Sequence, residues 1–277
     1  MGILSMASFG VLDFLTATIA SRIGSFRSTL WLSLFSFVVL AGLSVFLLGY
    51  HGISAFDILL LVAAGLLSVI AWLSFTKGFE SGKISVIATI GNTWGAITAI
   101  LGFVLLGEKV SAIQATEIGM IIIGTVIISI KPSEILAGRG KLAAGSLYAV
   151  VASIGFGSAL FIVAFVSRSI GWFPTALFLS ASTLFFVTAY GKSGNLKMRI
   201  DSKLLPLLAV MGVVSMAGLL FYTLGVTYDY SAIIAPVSSA SPLVTILLAA
   251  LLRGENVSKS QAAGIVLVLF GIMALSA

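Results

Sequence analysis

Only 9% of the 277 residues are charged, and the chain has no cysteine, one histidine and five prolines. Ordinary globular chains carry about 25% charged residues, and a water-soluble domain needs a polar skin that so few ionic side chains cannot supply. The composition equally excludes a disordered chain, a coiled coil and a nucleic-acid-binding domain. Without cysteine there are no disulfides, no thiol catalysis and no Cys-type zinc site, and the redox compartment stays open. The one histidine, His51, lies in a short break with no neighbouring ligand set, so neither a metal site nor a cofactor is expected. No H-E-x-x-H occurs, and Gly191-Lys192-Ser193 fails as a phosphate-binding loop because Phe186 stands where that motif needs glycine. No soluble stretch is large enough for an ATPase, so direct ATP-driven work is excluded.

What is present is apolar: 60% of the residues are hydrophobic. A helix needs about 20 mostly apolar residues to cross the hydrocarbon core. Ten such stretches occur, at 3–21, 29–49, 57–76, 84–106, 113–130, 142–166, 172–190, 204–226, 231–252 and 258–276. None alternates with period two, as strands of a membrane barrel would, and helices are then the remaining way to satisfy the backbone in lipid. The first stretch has no basic region before it and no A-x-A site after it, so it reads as a transmembrane helix and not a signal peptide. The breaks after helices 1, 3, 5, 7 and 9 hold thirteen of the fifteen Lys and Arg residues; the other side holds Lys109 and Arg168. That bias converts the net charge of +6 into a topology with both termini outside the cytoplasm. The expected location is the plasma membrane of a prokaryote.

The chain is also a duplication. Residues 59–130 overlay 206–277 at an offset of 147 without a gap, with 21 of 72 positions identical, where so biased a composition should give roughly one in ten by chance. The clearest match sets Gly107-Glu108-Lys109-Val110-Ser111-Ala112-Ile113-Gln114-Ala115 on Gly254-Glu255-Asn256-Val257-Ser258-Lys259-Ser260-Gln261-Ala262. Helix 1 meets helix 6 more faintly, with Ala7-Ser8-Phe9-Gly10 on Ala152-Ser153-Ile154-Gly155. Each half then holds five helices, and an odd number turns the second half upside down. The predicted fold is an all-α integral membrane protein of ten transmembrane helices in two five-helix inverted repeats, residues 1–132 and 142–277, an arrangement suited to alternating access around a midplane site.

Gly107-Glu108…Gln114…Gly124, Ser238-Ser239-Ala240-Ser241-Pro242, Gly254-Glu255…Gln261…Gly271 and the opening Gly10-Val11-Leu12-Asp13-Phe14-Leu15 resemble EamA-type units of the drug/metabolite transporter superfamily, over essentially the whole chain. The resemblance implies a secondary transporter in which helices 1–4 and 6–9 enclose a central cavity and helices 5 and 10 are peripheral. Gly91-Asn92-Thr93-Trp94-Gly95 departs from the family's Ser-rich, Pro-containing fourth helix.

Asp13 is the one acid or base deep inside any span. A carboxylate at the bilayer centre costs about 2.5–3.5 kcal/mol or more, so it should face a cavity or a partner. It is the candidate for proton coupling or for meeting a substrate amine; a structural, hydrogen-bonded carboxyl is the alternative. The repeat pairs polar positions near mid-span: Asn92 with Ser239, Trp94 with Ser241, Ser68 with Ser215, Thr98 with Thr245 and Asp13 with Ser158. Asn92, Ser158, Ser239 and Ser241 are the expected ligand-binding polar residues. Trp72, Trp94, Phe161 and Tyr222 could stack on a flat or cationic substrate, although aromatic residues are also ordinary membrane filling. Pro236 and Pro242 free carbonyls within helix 9, and Glu108 and Glu255 are expected to cap the helices that follow them. The expected activity is secondary active transport of a small polar or amphipathic metabolite, an amino acid or related compound, by export and with protons as a coupling partner. The alternatives are a uniporter or exchanger of drugs, nucleosides or sugar derivatives, and an intramembrane hydrolase built on Ser with Lys77 or Lys83.

Overall fold

The computed structural model describes residues 1–47, 52–81, 84–129, 142–254 and 256–275, so His51, Lys83, Lys131, Arg139, Lys141 and Glu255 lie outside the described residues. The chain is an all-helical, multi-pass integral membrane protein. Its helices are α1 (Gly2–Ile23), α2 (Ser25–Leu47), α3 (Ala55–Ser81), α4 (Ile84–Gly91), α5 (Trp94–Leu105), α6 (Ala112–Ser129), α7 (Leu142–Ile170), α8 (Trp172–Ser193), α9 (Leu205–Tyr228), α10 (Ser231–Ser239), α11 (Pro242–Arg253) and α12 (Lys259–Leu275). Seven stretches are long and apolar enough to span a membrane: α1, α2, α3, α7, α8, α9 and the α10–α11 pair; α5, α6 and α12 are shorter apolar helices. Large apolar side chains such as Phe46 (83% exposed) cover the outside, as lipid contact requires.

Two of the ten expected stretches are not continuous. The fourth breaks at Asn92–Thr93 and the ninth at Ala240–Ser241. Pro242 opens α11, where its missing N–H is harmless, and Pro236 lies inside α10. The first half has no proline there and breaks by other means. Asn92 donates its side-chain Nδ2–H to the Ala88 carbonyl (3.0 Å), which its backbone N–H also uses, and Thr93 Oγ1 turns back to the Ile90 carbonyl (2.7 Å). Short polar side chains thus compete with the helix ladder for its own carbonyls. Both junctions have the same form: Thr93 (φ −70°, ψ −1°) and Ala240 (φ −74°, ψ 15°) donate to Ile90 O and Val237 O at 3.2 Å each.

The repeat's best-matching segment has a local cause. Gly107 (φ +62°) and Gly254 (φ +66°) supply the left-handed residue just past α5 and α11, where a Cβ would be strained. Ser111 and Gln114 then form a reciprocal cap on α6: Gln114 Oε1 accepts from Ser111 N (2.9 Å) and Ser111 Oγ from Gln114 N (3.1 Å). Ser258 and Gln261 do the same on α12 at 3.0 and 3.2 Å.

Close approaches between helices also recur in pairs 147 residues apart. A Cβ on Gly157 would meet Ile97 and the Trp94 carbonyl; on Gly10 it would meet Val244 and the Ser241 carbonyl. Gly124 sits over Val268 and Gly271 over Ile121, which seats α6 and α12 against each other. Gly65 faces Ser182 and Gly212 faces Phe35. Thr98 Oγ1 donates to the Gly157 carbonyl (2.9 Å), and Thr245 Oγ1 to the Gly10 carbonyl (3.0 Å). Each half's broken helix therefore rests on the other half's first helix, close enough for backbone contact because glycine is there.

This packing predicts that Gly10→Val is destabilising. Its Cβ would lie 2.7 Å from the Ser241 carbonyl oxygen, a backbone atom that cannot move aside alone. The expected loss is about 1–3 kcal/mol, typical of overpacking, read as a lower midpoint in thermal unfolding of detergent-solubilised protein. Gly42→Ala, which meets nothing within 4 Å, leaves the midpoint unchanged or raises it.

Candidate functional site

A cavity of about 120 Å³ lies between the halves, with walls from α1, α2, α3, the α4–α5 junction, α7, α8 and α9. Much of its lining comes as pairs 147 residues apart: Phe9 with Phe156, Leu32 with Leu179, Ser33 with Ser180, Ser36 with Thr183, and Ser68 with Ser215. Ser36 Oγ donates to the Gly212 carbonyl (3.0 Å) and Thr183 Oγ1 to the Leu179 carbonyl (2.8 Å). Ser33, Ser68, Ser180 and Ser215 make no hydrogen bond with any described residue. The cavity thus carries two matched pairs of hydroxyls with no hydrogen-bond partner among the described residues.

Asp13 breaks this matching. Positioned halfway along α1, it lines the cavity, and Leu160 stands 147 residues on. The helix 1–helix 6 offset of 145 expected from sequence is replaced in the packing by 147, because the close contacts set Gly10 with Gly157. Ser158 is therefore not the counterpart of Asp13 and does not line the cavity. Ser241, at the start of α11, has its hydroxyl oxygen 2.8 Å from Asp13 Oδ2 and 3.0 Å from Asn92 Oδ1. Three elements from both halves converge there: α1, the α4–α5 junction and the α10–α11 junction. Asn92 and Ser241 are buried at 5% and 1% exposure, while Asp13 is partly exposed on the cavity side.

Trp72 and Trp94 also line the cavity, and the position 147 beyond Trp72 is Leu219. Their rings meet others edge to face. Trp72 lies 5.1 Å from Phe156 at 82°, Phe75 lies 6.0 Å from Phe156 at 82°, and Trp94 lies 6.2 Å from Phe9 at 87°. Of the residues expected to bind ligand, Asp13, Trp72, Asn92 and Trp94 line the cavity, and Ser241 joins two of them from behind. Ser239 and Tyr222 do not line it. Ser239 Oγ turns back to the Pro236 carbonyl (3.0 Å) and packs against Gly95, while Tyr222 is fully buried, donates to the Leu160 carbonyl (3.2 Å) and supports Trp94 from its far side at 5.9 Å. Phe161 is also outside the lining. The α2 and α8 hydroxyls at 33, 36, 180 and 183 were not expected from sequence; extending the 147-residue offset to those helices would have paired them.

Residues 1–130 and 143–277 match the EamA-like transporter family. The chain belongs to this family. It is a family of membrane transporters of the drug/metabolite type, not of enzymes. A solved structure described as "Crystal structure of protein" is similar, with a TM-score of 0.75 at 12% identity, covering 98% of this chain and 95% of that one. At that identity the likeness concerns the fold alone. No curated protein sequence matches the chain.

This EamA-like transporter has a second polar cluster at one end of the helix bundle. Glu108, just past α5, accepts from the backbone N–H of Ser231 (3.0 Å) and Ala232 (2.8 Å), from the Ser231 hydroxyl, and from Arg168 near the end of α7. Arg168 also donates to the Val226 carbonyl (3.2 Å) and the Asp229 carbonyl (3.1 Å) at the end of α9. The expected role of Glu108 is corrected by this geometry. It caps α10 in the opposite half and not α6, whose start is already served by Ser111 and Gln114. Its partner Glu255 lies outside the described residues.

The cluster makes a stability prediction. The Glu108 side chain is 1% exposed, so Glu108→Ala leaves two N–H groups of α10 unpaired. An unpaired buried donor costs about 1–3 kcal/mol, whereas Arg168, which is exposed and keeps its two carbonyl acceptors, adds little. Lys77→Ala, which opens the exposed Lys77–Glu80 pair (2.8 Å), costs about 0–1 kcal/mol. Equilibrium unfolding of both variants in mixed micelles checks the contrast.

Proposed function

We propose that this protein is a secondary active transporter that exports a small polar or amphipathic metabolite, an amino acid or related compound, by alternating access with proton coupling at Asp13. The observation that carries this reading is the cavity itself. It lies between the halves, beside an interrupted helix, and holds one carboxylate among paired hydroxyls. Irregular backbone at membrane depth is tolerated only where protein or a cavity satisfies it, and discontinuous helices are a recurrent way to form substrate sites.

The two units, 1–132 and 142–277, act as inverted repeats about an axis in the membrane plane, with both termini on the non-cytoplasmic side. The contacts recurring at a 147-residue offset support that symmetry. The substrate is held by Asp13 and Asn92 against Trp72 and Trp94, with Ser241 positioning the two polar groups from behind. Glu108 and Arg168 close the non-cytoplasmic end by tying α5, α7, α9 and α10 together, and opening that end means releasing them. Proton coupling follows from hydrogen-bond counting. Ser241 has one proton for two acceptors, so Asp13, Ser241 and Asn92 form a complete chain when Asp13 carries a proton of its own and donates it to Ser241. A hydrolase reading finds no support in Lys77, which pairs with Glu80 at an exposed helix end; Lys83 lies outside the described residues.

The test is flux in proteoliposomes loaded with a panel of labelled amino acids and their derivatives. A pH gradient should accelerate exchange of at least one compound tenfold or more. Asp13→Asn should keep the fold, judged by thermal midpoint, and lose that acceleration. Equal flux with and without a gradient, in a protein whose Asp13→Asn variant transports normally, would establish a uniporter or exchanger instead.

A further inference from the structure

We infer that the substrate of this site is an amine carrying a net positive charge on a compact apolar or aromatic body, and not a zwitterionic amino acid. The inference rests on the transporter reading above and, of the amino acids and related compounds named there, selects the related amines and excludes the amino acids themselves.

Charge comes first. Among the lining residues Asp13 is the one ionisable side chain, and no Lys, Arg or His accompanies it. A bound ammonium neutralises that carboxylate and finds further acceptors in the hydroxyls of Ser33, Ser68, Ser180 and Ser215. A zwitterion brings a second carboxylate into the same space. Hydroxyls and indole N–H groups would be its partners, which leaves an anion out of water with no cation to answer it. A neutral sugar or alcohol brings no charge that could take the place of the proton on Asp13.

The walls agree with this assignment. Trp72, Phe75 and Phe156 stand nearly at right angles to one another, with interplanar angles of 71°, 82° and 82°, and all three line the cavity. The edge-to-face contacts hold the three rings firmly together as one wall of the cavity, and a cation placed against an aromatic ring is attracted by its electron density. The repeat shows which features are specific to this task. The serines and Phe9/Phe156 are shared by both halves, whereas the carboxylate and the indole at 13 and 72 face leucine at 160 and 219. The ligand therefore has a distinct charged end directed at α1.

Three probes of one shape separate the cases: 2-phenylethylamine, phenylalanine and 2-phenylethanol. Binding to purified full-length protein in detergent is read by thermal shift and by quenching of tryptophan fluorescence. The amine should bind at least tenfold more tightly than the amino acid or the alcohol. Asp13→Asn should abolish that preference. Trp72→Phe should retain amine binding within about threefold, and Trp72→Leu, which installs the residue its own counterpart position uses, should weaken amine binding tenfold or more. Phenylalanine binding as tightly as the amine, none of the three binding, or an amine preference that survives in Asp13→Asn overturns the inference. Gradient-driven flux of another compound in the liposome assay would then leave the transporter reading standing, whereas absence of flux for every compound would remove both.

Discussion

A hydroxyl has one proton, and Ser241 meets two acceptors with it. One is Asp13 Oδ2 on α1 and the other Asn92 Oδ1 at the α4–α5 junction, 2.8 and 3.0 Å away. Ser241 itself is buried, so its one proton is contested between these two protein acceptors. Much of the surrounding packing serves to hold the three in place. The α10–α11 junction puts Ser241 at a helix start, and Gly10 lets α11 approach α1 to backbone distance. Thr245 then ties the two with a hydrogen bond to the Gly10 carbonyl. The same geometry recurs on the other side through Gly157 and Thr98, without an acid at its centre.

The helices were legible because lipid leaves so few solutions. Long apolar stretches must be helical to satisfy their backbones, so counting them located the helical regions, although among the described residues seven stretches and not ten are long and apolar enough to span a membrane. The duplicated segment around Gly107 and Gly254 was legible for a related reason. It encodes a left-handed stop followed by a reciprocal Ser–Gln cap, and both demand particular residues at fixed spacing. The two mid-span breaks were less visible. Proline announces the second, but the first comes from Asn92 and Thr93 turning on carbonyls of their own helix, which apolar run length does not register. The offset between helices 1 and 6 was misread by two residues. Small residues recur so often in these helices that a four-residue match carries little weight, and packing decides the register.

At the site, legibility followed cost. Asp13 and Asn92 stood out because a carboxyl and an amide are expensive in lipid, and both line the cavity. Serine is cheap, since it can return its proton to its own helix, so Ser239 and the cavity serines look alike in sequence. Ser239 does make that bond, whereas Ser33, Ser68, Ser180 and Ser215 make none with described residues. Glu108 was read by its neighbours in the chain, and its partners 60 and 123 residues away were invisible from there.

The mixture of matched and unmatched lining has a mechanical consequence. If the two halves exchange conformations during transport, each matched pair presents the same hydroxyls or rings to either side, so the cavity keeps its general polarity in both states. An unmatched group behaves differently: its partner position cannot replace it, and it must stay near the exchange axis to serve both states. Asp13 meets this condition through Ser241, because its tether comes from the opposite half, at the α10–α11 junction behind the cavity wall. On the proposed transport reading, the carboxylate remains in contact with the ligand while the walls around it trade places. A charge fixed to the far end of a single half would lose the ligand each time the halves moved.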